Sequence, residues 1–525
     1  MQNTENRHFW HKAASVGQME ARDRLVVKID DRQIAIFKTA DGLYAINNRC
    51  PHEGYPLIEG SLQGDCKLAC NWHGWAFDLK NGKAIQGKDP VKTYPVKTQD
   101  GFVMVEIVPL DNTLLREAAL LEFDEAFREH DYERIARSLC RYEFADGALE
   151  DIAIHVLKAS LFTHERGFGH AHAGLADWIS LAGDDSELRL VAFLEALGHF
   201  SWDSLFSTKP EPVPSSEVWN QTDFLLAIEA MDQPSALRQC KGAFEAGLTF
   251  TDLKCLFLEQ NFRHYAGFGH PAIYLAKAEQ LLGYLGDDIE ETVCLLLTRY
   301  WCIAAREDLI PEFKEFGSIL AGPQNTGGMI LPQPETLSEI PQRKLMPLVD
   351  AAADENKDKW ETLLAASAIS MLRFDTDRQD IVDQPIAQNV GWLAFTHAIT
   401  FAESLYFHAD SNPSLWRSGL LQQACFIGRN SRFLADNQIA NCPVINAEDF
   451  LTEQKAALFD MDAGDYIYSV HRLKMVSAIE KLVALVSRDT AKLLVAALSR
   501  YLNSPLRQKH PARTMAQARA AVARE

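Results

Sequence analysis

Between residues 23 and 39 apolar and polar side chains alternate on either side of Asp30-Asp31. A period of two buries one face of a strand, so this stretch predicts a β-hairpin. The alternation returns at residues 101–108, Gly-Phe-Val-Met-Val-Glu-Ile-Val. Beyond residues 109–113 the apolar spacing lengthens to three or four and stays there, the spacing of amphipathic helices. The pattern predicts a multidomain chain, with a small all-β domain at 1–110 and a large all-α domain at 111–525. Two turn-rich stretches interrupt the helices, 208–216 as an inter-helix loop and 321–347 as a linker. The alanine-rich, basic tail from Arg507 reads as a frayed or partner-packed helix.

The helical part repeats itself. His164-Glu-Arg-Gly-Phe-Gly-His170 recurs one hundred residues later as His264-Tyr-Ala-Gly-Phe-Gly-His270. Each copy leads into a helix starting near the second histidine and stopping at a Gly-Asp-Asp, at Gly183 and Gly286, before a further apolar helix. A degenerate third copy starts at Trp392 and carries His397. Repeats fall around 140–205, 240–310 and 375–440, the mark of helical units that bury their apolar faces on one another. The glycines would let His164 and His170 turn toward one cavity, and pseudo-symmetry would then group His164, His170, His264 and His270 about an axis, with His397 as a fifth candidate. Imidazoles grouped this way suit iron, zinc or copper. Against this stands the reading of Phe-Gly-His as a glycine turn followed by a capping histidine, duplicated with the fold. Asp177, Glu279 and Glu403 are weaker carboxylate candidates.

Composition changes the picture only by exclusion. A chain of 525 residues, 47% apolar, exceeds one ordinary core. Its formal charge of −20 argues against nucleic acid or an anionic membrane as partner. No run of eighteen apolar residues suggests a membrane span, and residues 1–8 lack a signal-peptide core. Of ten cysteines, eight are scattered in mostly apolar helical surroundings, which predicts reduced, buried thiols and a cytoplasmic location. No glycine fingerprint for a dinucleotide and no phosphate loop appears, so electrons for any redox chemistry must come from outside the chain.

The most specific motif lies in the β-rich part. Cys50-Pro-His52 is answered by Cys70-Asn-Trp-His73. Two such loops supply the two thiolates and two imidazoles of a Rieske [2Fe–2S] centre. A tetrahedral zinc site would use the same residue types; the Cys-Pro-His loop, the Pro-Leu after it and the later His-Gly-Trp-x-Phe argue against it. Residues 8–108 resemble the Rieske ferredoxins and the Rieske half of ring-hydroxylating oxygenases. The resemblance implies that Cys50 and Cys70 hold one iron, His52 and His73 the other. It also implies an external reductase or ferredoxin as donor, and it admits a homo-oligomer, since relatives pass electrons between subunits. Respiratory Rieske proteins carry a disulfide where this chain has Tyr55 and Trp72, and Ser and Tyr hydroxyls where it has Trp75 and Phe77. Fewer hydrogen bonds to the cluster predict a potential at the low end of the Rieske range.

The catalytic half of the ring-hydroxylating family is missing, for no His-x4-His follows residue 108. The helical part is faintly similar to questin-oxidase-like proteins through segments such as Gly269-His-Pro-Ala-Ile-Tyr-Leu275. The expectation is an oxidoreductase that passes single electrons to a site in the helical domain, with a second iron there and dioxygen-dependent oxygenation of a small organic substrate. The alternative is an electron-transfer protein whose helical array is a docking or oligomerisation scaffold.

Overall fold

The computed structural model describes residues 9–525 apart from 65, 109–110, 209–211, 325–326, 437–438, 441, 461–463 and 508–509, and apart from the Ala387 side chain. Residues 1–8, the exact junction at 109–110 and part of the 208–216 loop lie outside them. The chain forms two compact units, Met1–Leu114 and Leu115–Glu525.

The first unit is all-β. Strands β1 (Trp10–Ser15), β2 (Arg24–Ile29), β3 (Arg32–Thr39) and β4 (Gly42–Asn47) are followed by β5 (Ser61–Gln63), β6 (Lys67–Ala69), β7 (Ala76–Asp78) and β8 (Ala84–Gln86). Then come β9 (Thr93–Tyr94), β10 (Val96–Gln99) and β11 (Phe102–Glu106). They form three antiparallel sheets, β1-β11-β10, β2-β3-β4-β9 and β5-β6-β7-β8. The hairpin expected at 23–39 is present as β2–β3, with Ile29 opposite Arg32 across a turn that holds Asp30 at φ 51°. An aspartate tolerates this left-handed conformation better than a branched residue does. Ile34, Ala35, Ile36 and Phe37 of β3 are buried on both faces, because the strand is sandwiched between two apolar clusters.

The second unit is helical, and its centre is a ring. Four pairs follow in order: α1 (His170–Ala182) with α2 (Ser186–Phe206), α3 (His270–Leu285) with α4 (Glu290–Ile303), α5 (Leu393–Ser411) with α6 (Trp416–Asn430), and α7 (Tyr466–Val483) with α8 (Arg488–Leu502). The odd-numbered helices pack α1 on α3, α3 on α5, α5 on α7 and α7 back on α1, and each also packs on its even-numbered successor. The inner helices are therefore covered on nearly every side, and nine consecutive residues of α1, Ala171–Ile179, are buried. Glycines 183 and 286 stop α1 and α3 with positive φ, at the Gly-Asp-Asp signals. The ring has four members where the sequence suggested three repeats.

Three expectations are corrected. The stretch 321–347 is not a free linker: it carries helices Pro334–Glu339 and Gln342–Ala351, and Leu331, Leu337, Leu345 and Met346 are buried in the main core. Not all non-cluster cysteines are buried either, since Cys140 and Cys255 are exposed, although all ten are free thiols. The C-terminal helix Pro511–Val522 is packed rather than frayed, with the buried Arg513 donating to the Ile381 and Gln379 carbonyls. Among the described residues no helix is long and apolar enough to cross a membrane.

Close approach of α5 and α6 depends on Gly419, where a Cβ would stand 2.1 Å from Leu405 Cδ1. Gly419→Ala should destabilise the helical unit by about 1–3 kcal/mol through overpacking. Gly283→Ala, inside α3 with open space at its Cβ, should stabilise it by about 0.5–1 kcal/mol. Denaturant melts of the two variants should shift in opposite directions; shifts of the same sign would contradict the packing.

Candidate metal centres

The two loops of the β unit have the same backbone design. Cys50 N–H donates to the Tyr55 carbonyl and Gly54 N–H to Cys50; Cys70 N–H donates to Trp75 and Gly74 N–H to Cys70. Gly54 and Gly74 both take φ 73° with no atom near an added Cβ, so the backbone conformation, not space, requires glycine. These matched turns bring the side chains together. His52 Nδ1 lies 3.1 Å from His73 Nδ1, and Cys50 and Cys70 are buried side by side. Two soft thiols and two imidazoles on facing loops are the donor set of a Rieske cluster. Burial, with Cys70 alongside, pushes the Cys50 thiol up to about 11, so a thiolate here needs a positive centre beside it. Two iron ions supply that charge, and the residues fit the group.

Aromatic rings hold the loops. The Trp75 ring stacks on His52 at 4.8 Å, and Tyr55 stacks on Trp72 at 5.7 Å across the gap between the loops. Among the described residues no hydroxyl is hydrogen-bonded to either cluster cysteine, and Phe77 is fully buried. The His73 side chain is 41% exposed and His52 22%, so the imidazole end of the site faces outward.

In the helical unit each inner helix contributes one histidine to a common point. His170 and His270 stand at the first residues of α1 and α3; His397 and His471 stand one turn inside α5 and α7. His270 Nε2 lies 3.4 Å from His170 Nε2, and His471 Nε2 lies 3.2 Å from His397 Nε2. The His270 and His397 rings are 4.5 Å apart, those of His170 and His471 4.9 Å. The other ring nitrogens are occupied. His270 Nδ1 donates to the Gly267 carbonyl at 2.5 Å, His397 Nδ1 to Leu393 at 2.5 Å and His471 Nδ1 to Ile467 at 2.6 Å. His170 Nδ1 meets the Tyr274 hydroxyl at 3.3 Å. Carbonyls can only accept, so three rings carry their proton on Nδ1 and turn the bare Nε2 lone pair inward. Burial lowers the pKa of all four, His270 to about 4, which keeps them in the uncharged form that binds metals. Ligand nitrogens at about 2.0–2.1 Å from a tetrahedral ion stand roughly 3.4 Å apart, the separation seen within the His170–His270 and His397–His471 pairs; His170, His270 and His397 each have a ligand nitrogen within 4.8 Å of the others.

Of the histidines named from sequence, His170, His270 and His397 meet; His164 and His264 do not join them. His264 is clamped by Glu307 and Glu229, each at 3.0 Å, because the second copy places carboxylates where the first has none. Although burial opposes it, the two carboxylates raise its pKa. His164 packs its ring against His172 and Phe200, its Nδ1 is bonded to the Thr163 hydroxyl, and its Nε2 has no partner. The carboxylates also lie elsewhere: Asp177 pairs with Lys277, Glu279 with Lys254 and Glu403 with Lys481. The helix-capping histidine is His172, which accepts from Gly169 N–H.

The member of the group without a sequence motif is His471. No Gly-Phe-Gly precedes it, and it follows His397 by 74 residues rather than one hundred, so a search for repeats passes over it. Its signal is a histidine one turn into a long apolar helix with a lysine three residues on. That lysine, Lys474, is buried with no hydrogen-bond partner, and burial lowers its pKa to about 8.

Two cavities reach three of these histidines. One of about 510 Å³ is lined by His170, His270, Tyr274, Phe168, His164 and Asp203; a smaller one of about 210 Å³ reaches His270 and His397 beside Arg429. Burial, aided by Asp465, raises the Asp203 carboxyl to about 7.

The β unit defines an iron–sulfur protein with mixed Cys₂His₂ ligation. Residues 9–96 match the family model of the Rieske [2Fe-2S] domain, and the chain belongs to this family through that domain. It is 32% identical over 108 residues to the 4β-methylsterol monooxygenase of Methylococcus capsulatus, covering 18% of this chain and 29% of the relative. It is 38% identical over 76 residues to the 3-phenylpropionate/cinnamic acid dioxygenase ferredoxin subunit of Escherichia coli, covering 14% of this chain and 72% of that one. Among solved structures, the terminal oxygenase of carbazole 1,9a-dioxygenase from Nocardioides aromaticivorans aligns at 25% identity over 20% of this chain and 31% of its own, with a TM-score of 0.19. The chain thus spans less than a third of the monooxygenase and of the terminal oxygenase. The shared part is a Rieske-type domain, similar to those of electron-transfer and oxygenase-related proteins.

With no hydroxyl at the cluster sulfurs, the midpoint potential should fall at roughly −150 to 0 mV. Redox titration of the visible spectrum measures it; a value near +300 mV would contradict the loss of the O–H donors at positions 75 and 77.

Proposed function

We propose that the chain is a Rieske oxidoreductase with two metal centres. Cys50, His52, Cys70 and His73 would hold a cluster supplying single electrons drawn from an external reductase or ferredoxin. His170, His270, His397 and His471 would hold an iron supplying dioxygen chemistry toward a small organic substrate. The observation that carries this reading is the convergence of four histidines, three of which have the other ring nitrogen tied to a backbone carbonyl and the fourth, His170, to the Tyr274 hydroxyl. A docking scaffold gives no reason for four neutral imidazoles to face one another inside a helical ring. The names of the two sequence relatives, a monooxygenase and a dioxygenase ferredoxin, support the oxygenase class for the electron-supplying half.

The bound cluster would supply one-electron reducing equivalents, and the histidine-bound ion would supply a redox-active Lewis acid with sites left for dioxygen. The protein does the rest. Gly267, Leu393 and Ile467 carbonyls hold the imidazoles in one tautomer and raise their basicity. Phe168, Phe206, Phe268 and Tyr274 give the larger cavity an apolar wall suited to an organic molecule, while Asp203 can hold or release a proton near neutrality. At the cluster loops, Trp75 stacks on the His52 ring and fixes its orientation.

Metal content normalised to cluster occupancy, from the reduced cluster's electron paramagnetic resonance signal, tests the reading. Three irons per occupied chain are expected. Two irons, with zinc and copper also absent, would sink it. The double variant His270→Ala/His397→Ala should lose the extra ion and dioxygen-dependent turnover while keeping the cluster spectrum; His264→Ala should keep the ion.

A further inference from the structure

Below the histidines the inner faces of the same four helices continue with charged groups. Lys474 follows His471 by one turn of α7. Asp177 follows His170 by two turns of α1, and Lys277 follows His270 by two turns of α3. Lys277 Nζ donates to Asp177 Oδ1 at 2.6 Å, and Ser477 Oγ donates to the same oxygen at 3.1 Å. Lys481 lies beside Lys277 and donates to Glu403 at 3.2 Å. Burial falls along this series. Asp177, Lys474 and Lys277 are 1, 2 and 4% exposed, whereas the Lys481 side chain is 37% exposed. Two atoms in the series are left open, Lys474 Nζ and Asp177 Oδ2, both buried and without a hydrogen-bond partner. They interact electrostatically without forming an ion pair, so a bridging water would complete the chain between them.

An ordinary buried ion pair explains Asp177 with Lys277 alone. It does not explain an unpartnered lysine between that pair and four histidines, nor the run of polar groups from there to the surface. We infer that Lys474, Asp177, Lys277 and Ser477 form a proton path between the surface at Lys481 and Glu403 and the four-histidine site. The inference rests on the proposed function. Reduction of dioxygen needs protons as well as electrons: O₂ + 2e⁻ + 2H⁺ gives H₂O₂ when no organic substrate is present. The reduced Rieske cluster, recharged by an external donor, supplies the electrons, and the path supplies the two protons.

The test uses the full chain loaded with Fe(II), its cluster reduced with limiting dithionite and then mixed with dioxygen; cluster reoxidation is followed by its visible absorbance. The rate of His270→Ala/His397→Ala, which measures direct oxidation of the cluster, is subtracted. Asp177→Asn keeps an acceptor for Lys277 but cannot carry a proton. It should retain its iron and slow the remaining rate about 100-fold. Asp177→Glu should recover most of that rate, and so should added acetic acid. A wild-type rate in Asp177→Asn overturns the path. So does a slow variant that has lost its iron, or one that neither acetic acid nor Asp177→Glu restores, because the role is then structural. If wild type itself is no faster than the histidine double variant, the oxygenase reading fails and the path falls with it. The two failures are thus told apart.

Discussion

Two uncharged imidazoles whose bare nitrogens face each other at 3.2 Å repel unless a cation lies between them. The helical unit holds such a pair in His397 and His471, with the bare nitrogen of His270 turned toward His170 beside it, and the protein itself enforces the arrangement. Backbone carbonyls of α5 and α7 and of the turn before α3 accept the Nδ1 protons and leave the rings no other tautomer. The four inner helices must close into a ring for the nitrogens to meet, and the outer helices must press them there. Architecture and site are one constraint seen at two scales.

The cluster loops obey the opposite logic. Everything they need lies within two six-residue turns, each with its own pair of backbone hydrogen bonds and its own positive-φ glycine. Only the distance between the turns depends on the sheets, through strands β5–β8. A local site of this kind writes its whole design into consecutive residues, so Cys50, His52, Cys70 and His73 could be read directly. The hairpin about Asp30 and the switch to helical spacing near residue 110 were legible for the same reason, since periodicity is a property of neighbours.

The histidine site was only partly legible. The Gly-Phe-Gly-His motif marked His170 and His270 because duplication preserved a turn, and the same motif misdirected attention to His164 and His264, which share the turn but not the axis. What divides them is tertiary: Glu229 and Glu307 capture His264, while Phe200 and His172 pack around His164. His397 and His471 reach the centre from within their helices, and no local turn records that. Exposure misled as well, for the proline- and glycine-rich segment up to Pro347 looks like a linker but buries Leu337 and Leu345.

Ring closure has a consequence for how the protein is made. The β unit is encoded by the first 114 residues and closes on contacts within that span. The four-histidine centre joins residues separated by three hundred positions, and its last member sits on α7, which begins at Tyr466. Domains fold largely as units, N-terminal first during synthesis. A nascent chain can therefore complete its Rieske module long before the four-histidine ring exists, and the two sets of side chains are brought together at times separated by most of the translation of the protein.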